Sequence, residues 1–146
     1  MIEVHAGFHI KAPAADVWSL IGWGGLEPLS GKTFFKTVSY STKEPIIGAT
    51  RRFTGAYGDL DIVEVLLRYD EGARRYSYGV LDVGELPIAD YEGRVCVTPA
   101  GPKACVLAFS SRLVPVGISG ADFQSFYDKS ERSIADAIID VLGCPK

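Results

Sequence analysis

Three side chains in the middle of this 146-residue chain have types and surroundings that could do chemistry: Arg51, Glu64 and Tyr91. Glu64 interrupts the apolar run Ile62-Val63-Glu64-Val65-Leu66-Leu67. Facing inward, it is a carboxylate in a low-dielectric space, and its pKa rises unless a cation or hydroxyl pairs with it. Arg51, on the strand before it, is the expected partner. Two readings stand side by side: a solvent-facing or purely structural carboxylate, and a group that works on a ligand. Tyr91 lies on the apolar face of its own strand, between Asp90 and Glu92. Its hydroxyl can bond a ligand carbonyl or act as a weak acid, and its ring can equally serve as core.

Other chemistries find little support. His5 and His9 are four residues apart on a strand-like segment, which separates them by roughly 13 Å. That is too far to share a metal, and no cysteine pair has close ligand spacing, so no metal and no cofactor are expected. There is no G-x-S-x-G, and Gly22-Trp23-Gly24-Gly25 is not a phosphate loop. The cysteines, Cys96, Cys105 and Cys144, are odd in number. Strand alternation puts Cys105 inside and Cys96 outside, so free thiols are expected.

The elements that must position these groups follow from periodicity. Ile2, Val4, Ala6, Phe8 and Ile10 alternate with polar or small residues, a strand with one buried face. Pro13 suits a first helical position, and a short helix over Val17-Trp18, Leu20 and Ile21 ends near Gly22. Gly24-Gly25 and Pro28 mark a break or a second short helix. Strands are then predicted over 34–41, 49–56, 60–69, 74–83, 88–98 and 103–114, separated by glycine- and proline-bearing turns. From Ser119 to Leu142 the chain has no proline and only Gly120 as glycine. Phe123, Phe126, Tyr127, Ser130, Ile134, Ala137, Ile138 and Val141 there form one stripe at helical spacing. The order β-α-α-β-β-β-β-β-β-α has no βαβ alternation, so the expected class is one α+β domain over residues 1–146. A long helix laid across a curved antiparallel sheet leaves a hollow, and a hollow can hold a small molecule.

Hydrophobic residues make up 47% and charged residues 23%, ordinary for a globular chain. A net charge of −3 without a basic stripe argues against nucleic acid as a partner. No segment is long enough for a membrane span. The start, Met1-Ile2-Glu3-Val4-His5, has neither a basic nor an apolar run, so the expected compartment is the cytoplasm.

The chain resembles the helix-grip superfamily called SRPBCC, which includes START-related lipid-transfer domains, the birch-pollen allergen, polyketide cyclases and abscisic-acid receptors. Ile10-Lys11-Ala12-Pro13-Ala14-Ala15-Asp16-Val17-Trp18 is similar to that family's I-x-A-P-x-x-x-V-W. Gly48-Ala49-Thr50-Arg51 resembles its G-x-x-R, and Glu64, Leu66 and Asp70 its E-x-L-x-x-x-D. Leu86-Pro87-Ile88-Ala89-Asp90-Tyr91 resembles L-P-x-x-x-Y, and Phe109 to Pro115 resembles W-x-x-x-F-x-P with Phe for Trp and Leu for Phe. The resemblance implies a seven-stranded curved antiparallel sheet around the C-terminal helix, with two short helices after strand 1 and a cavity between sheet and helix. It implies that Glu64 and Tyr91 line the cavity and that segments 54–58 and 83–87 gate it. Thr54-Gly55-Ala56-Tyr57-Gly58 does not reproduce the hormone receptors' gate.

The ligand-binding candidates are therefore Arg51, Phe53, Tyr57, Glu64, Leu86, Tyr91, Phe109, Ser111, Phe123 and Tyr127, with Glu64 and Tyr91 as catalytic candidates. Two functions remain open. One is binding of a small, mostly apolar molecule of aromatic, polyketide or lipid-like type. The other is a cofactor-independent cyclase or dehydratase in which Glu64 removes a proton beside a carbonyl while Tyr91 or Arg51 stabilises the enolate.

Overall fold

Alternating apolar residues need a surface to cover, and here they cover a single curved sheet. The computed structural model describes residues 1–84 and 86–146. β1 (Ile2–Ile10) leads into α1 (Ala14–Ile21). A 3-10 turn (Glu27–Leu29) follows, and then come β2 (Thr37–Tyr40), β3 (Thr50–Ala56), β4 (Leu60–Asp70), β5 (Arg75–Asp82), β6 (Ile88–Pro99), β7 (Cys105–Pro115) and α2 (Gly120–Leu142). The strands form one antiparallel sheet in the order β1-β7-β6-β5-β4-β3-β2. Two expectations shift. The second short helix is only the 3-10 turn, with Pro28 inside it, and Pro13 is the cap before α1 rather than its first residue.

α2 is held at both ends by its own sequence. Ser119 caps it, its hydroxyl accepting from the Asp122 amide at 3.1 Å. Gly143 closes it at φ 67°, donating to the Ile139 carbonyl at 2.9 Å, a left-handed stop that suits glycine. Its buried stripe is Phe123, Tyr127, Ser130, Glu131, Ile134, Ala135, Ala137 and Ile138. Val141, expected in the stripe, is exposed, and Glu131 is inside instead. α2 makes its close approaches to β1, β7, α1 and the 3-10 turn. The opposite half of the sheet curls away from it, which opens the space below.

Pairing along the strands is broken at four places, between Phe53 and Ala56, Val63 and Glu64, Leu66 and Arg68, and Ala89 and Glu92. Such bulges bend the sheet and re-aim side chains. On β6 the extra residue is Asp90, at φ 52°. Strict alternation would send Ile88 and Tyr91 to opposite faces. The bulge brings both to the inner one, where both face the hollow. Cys105 is buried on β7, Cys96 lies on the other face of β6, and all three cysteines are free.

Candidate functional site

The hollow lies between α2 and strands β3 to β6. It has a volume of about 80 Å³. At ~10–15 Å³ per enclosed water, that is room for roughly six waters or one ring with a short side chain. The sequence candidates Arg51, Phe53, Tyr57, Glu64, Leu86, Tyr91, Phe109, Phe123 and Tyr127 all line it. Ser111 sits behind them, buried on β7. Its hydroxyl donates to the Tyr127 oxygen at 3.1 Å and shares a 2.6 Å bond with the Tyr91 hydroxyl. Because Ser111 gives its proton to Tyr127, Tyr91 is the donor to Ser111. The Tyr127 proton is left available to the hollow, while the Tyr91 oxygen also has the Tyr78 hydroxyl as a partner.

At one end, Arg51 and Glu64 stand directly opposite each other on β3 and β4. The Arg51 Nε donates to Glu64 Oε1 at 2.9 Å, and Nη2 lies 2.8 Å from the same oxygen. Nη1 donates to the Trp23 carbonyl at 3.1 Å and Nη2 to the Tyr76 hydroxyl at 3.3 Å, while Tyr76 donates onward to the Ile21 carbonyl at 2.8 Å. The guanidinium also lies over the Trp23 ring, 4.3 Å from its centre. Burial acts against the charge on Arg51, but Tyr76 and Glu64 outweigh it and hold it protonated. Burial raises the Glu64 carboxyl, and Arg51 limits the rise. The pair is thus an internally satisfied ion pair in which every guanidinium nitrogen is engaged.

At the other end sits Tyr57, in the turn between β3 and β4. Its φ is 50°, a strained value for a residue with a side chain. Its ring stacks on Phe34 at 5.2 Å and meets Phe126 at 5.0 Å. Its hydroxyl bonds Ser130 on α2 at 2.6 Å. Tyr57 as a residue is 36% exposed while its hydroxyl is held against α2, and its side chain lines the hollow, so it is a wall between hollow and solvent. Leu86, in the segment before β6, also lines the hollow. The expected lid 83–87 also contains Glu85, which lies outside the described residues.

Sequence reasoning missed Glu131, Tyr76, Tyr78, Ser130, Phe34 and Phe126, which also face the hollow. Tyr78 lies flat across Gly93, its partner on β6, where any Cβ would overlap the ring. Glu131 is the more consequential. It is 8% exposed, and among the described residues neither a hydrogen-bond donor nor a cation stands against its carboxyl. Burial and then Glu64 push it up to about 8. The signal was present: Glu131 is four residues after Tyr127 and three before Ile134, on the apolar stripe.

A broader hollow of about 920 Å³ lies on the outer face of the sheet, where Arg75 pairs with Asp70 and Arg94 with Glu92. Those groups are open to water and satisfy one another.

A curved seven-stranded sheet gripping one long helix over an internal hollow is the helix-grip fold. The sequence profile of the family described as polyketide cyclase / dehydrase and lipid transport matches residues 1–134, and the chain belongs to that family. No curated protein matches the chain. An uncharacterised protein from Bacillus thuringiensis has a similar structure, with 16% identity, a TM-score of 0.77, and coverage of 94% of this chain and 99% of that one. A Thermobifida fusca protein is 22% identical with a TM-score of 0.75 over 97% of this chain and 95% of that one. Norcoclaurine synthase from Thalictrum flavum, in complex with dopamine and hydroxybenzaldehyde, is 19% identical with a TM-score of 0.69, covering 97% of this chain and 86% of that one. Among the described residues no helix is long and apolar enough to cross a membrane.

Proposed function

We propose that the protein binds a small, mostly apolar molecule, of single-ring aromatic size, in the hollow between α2 and the sheet. The observation that carries this reading is the hollow itself, walled by aromatic and aliphatic side chains with a few inward polar groups, of which the Glu131 carboxyl has no partner among the described residues. The family description points the same way, and so does the similar synthase, whose structure holds two one-ring compounds. Burying one aromatic ring of ~150 Å² contributes on the order of 4 kcal/mol before the costs of association. Apolar burial alone therefore gives weak affinity, and the polar groups decide which ring is kept.

Catalysis by cyclisation or dehydration ranks below binding, because Glu64 as a base must first release Arg51. Native mass spectrometry of freshly purified protein, before and after a panel of one-ring aromatics, tests the binding reading. The expected result is a one-to-one adduct that weakens at least about tenfold when Phe34 or Phe126 is replaced by a charged residue. Adducts unaffected by a charge placed in the wall would place the ligand elsewhere and end the proposal. Formation of a dehydrated or cyclised product from a diketone, abolished by Glu64→Gln with binding intact, would instead put the enzyme first.

A further inference from the structure

Glu131 lies in the middle of α2, with its carboxyl turned into an aromatic hollow and nothing among the described residues to neutralise it. The groups that feel its charge come from every wall. They are Glu64 on β4, Tyr57 in the turn after β3, Tyr76 on β5, Tyr78 on β5, Tyr91 on β6 and Tyr127 one helical turn earlier. None of them is a cation. Arg51, the cation among the described residues that line the hollow, is engaged by Glu64, Tyr76 and the Trp23 carbonyl. Neighbouring Arg132 points the other way, over Phe8 on β1. Among the described residues the hollow thus holds one guanidinium and two carboxyls, one negative group more than it can balance when both are ionised.

A ligand with an acceptor such as a carbonyl needs no carboxyl there, because the Tyr127 hydroxyl already offers a proton. What a carboxylate adds, and a hydroxyl cannot, is a full negative charge. The surrounding rings of Tyr57, Phe34, Phe126, Tyr78 and Tyr91 present π-faces and hydroxyl oxygens, which attract positive charge. Building on the binding reading above, we propose that the preferred ligand is a small aromatic amine, whose ammonium pairs with the Glu131 carboxylate while its ring fills the apolar part of the hollow.

An ammonium entering beside a protonated Glu131 displaces that proton to solvent. Binding is then linked to pH. With the free carboxyl titrating at about 8, affinity rises about tenfold per pH unit below that value and levels above it. The amine stays protonated until about pH 10, as an alkylammonium does.

Calorimetric titration of 2-phenylethylamine and of the same-sized alcohol 2-phenylethanol, from about pH 6 to about pH 9, tests this. The expected result is an amine at least about tenfold tighter than the alcohol at the upper pH, with about one proton released per amine bound at the lower pH. The proton count comes from buffers of different ionisation enthalpy and requires no variant. In Glu131→Gln the amine should lose at least about tenfold and its pH dependence, with alcohol binding retained as evidence of an intact hollow. An alcohol that binds as tightly as the amine, or amine binding without proton release, overturns the amine assignment and leaves the binding reading standing. Failure of both compounds to bind at any pH overturns both.

Discussion

Glu131 is a liability to folding that a glutamine or leucine would not be, which makes its effect measurable in the empty protein. The carboxyl titrates near 4.5 when unfolded and at about 8 when folded. Below 4.5 both states are protonated and the group contributes nothing. Between the two values folding takes up a proton, so stability falls as pH rises. Above about 8 the loss is complete, on the order of 5 kcal/mol. Glu131→Gln should therefore match the parent near pH 4 and become progressively more stable than it up to about pH 8, with a constant difference beyond. Urea denaturation at stepped pH reads this directly, and a difference that stays flat across the range would show that the carboxyl is solvated. The residue escaped the sequence reading because Lys129, Arg132 and Asp128 surround it and make the segment read as a wetted face. Spacing from Tyr127 carries the opposite message, and spacing is the stronger guide on a helix. Arg51 and Glu64 were legible, by contrast, because an apolar run of β-type residues makes one carboxylate conspicuous and its cross-strand partner easy to name.

At the scale of elements, strand existence and order were legible, and so was the inner face of β6 through Tyr91, Gly93, Val95 and Val97. The bulges were not, because Asp90 and Tyr57 take left-handed backbone that non-glycine residues rarely adopt. The extra residue at Asp90 is what lets Ile88 and Tyr91 share a face, and that at Gly55 turns β3 toward Tyr57. Short α1 was legible from its apolar spacing. The segment after it was not, because Gly24-Gly25 and Pro28 allow either a helix or a single tight turn. β5 and β6 also show how one missing side chain shapes the wall. Tyr78 lies over Gly93, and a Cβ at that position has no room. Gly93→Ala should drive the Tyr78 ring into the hollow. The expected outcome is a chain still folded, about 1–3 kcal/mol less stable, with ligand binding weakened more than the stability loss accounts for. Unchanged ligand affinity would mean that the ring has another place to go.

Across the whole molecule the hollow has two unlike ends. The Arg51 end is a knot: one guanidinium joins β3, β4, β5 and the chain after α1, with its partners buried. Removing the cation strands Glu64 in the interior, and Arg51→Met should cost about 3–5 kcal/mol. For a chain of this size that lowers Tm by roughly 6–20 °C. The Tyr57 end is a latch. One hydroxyl bond to Ser130 joins the β3–β4 turn to α2, across stacked rings and a strained backbone. Tyr57→Phe keeps the rings and loses the bond, so it should cost only about 1 kcal/mol, a Tm change of roughly 2–4 °C. It should nevertheless speed ligand entry and exit together, because a wall with one face in water and one in the hollow is where a guest must pass. Stopped-flow mixing with a one-ring ligand that quenches intrinsic fluorescence gives both rates. If Arg51→Met, compared at a temperature where it is still folded, changes the rates while Tyr57→Phe leaves them alone, the passage lies at the knotted end and the latch assignment fails.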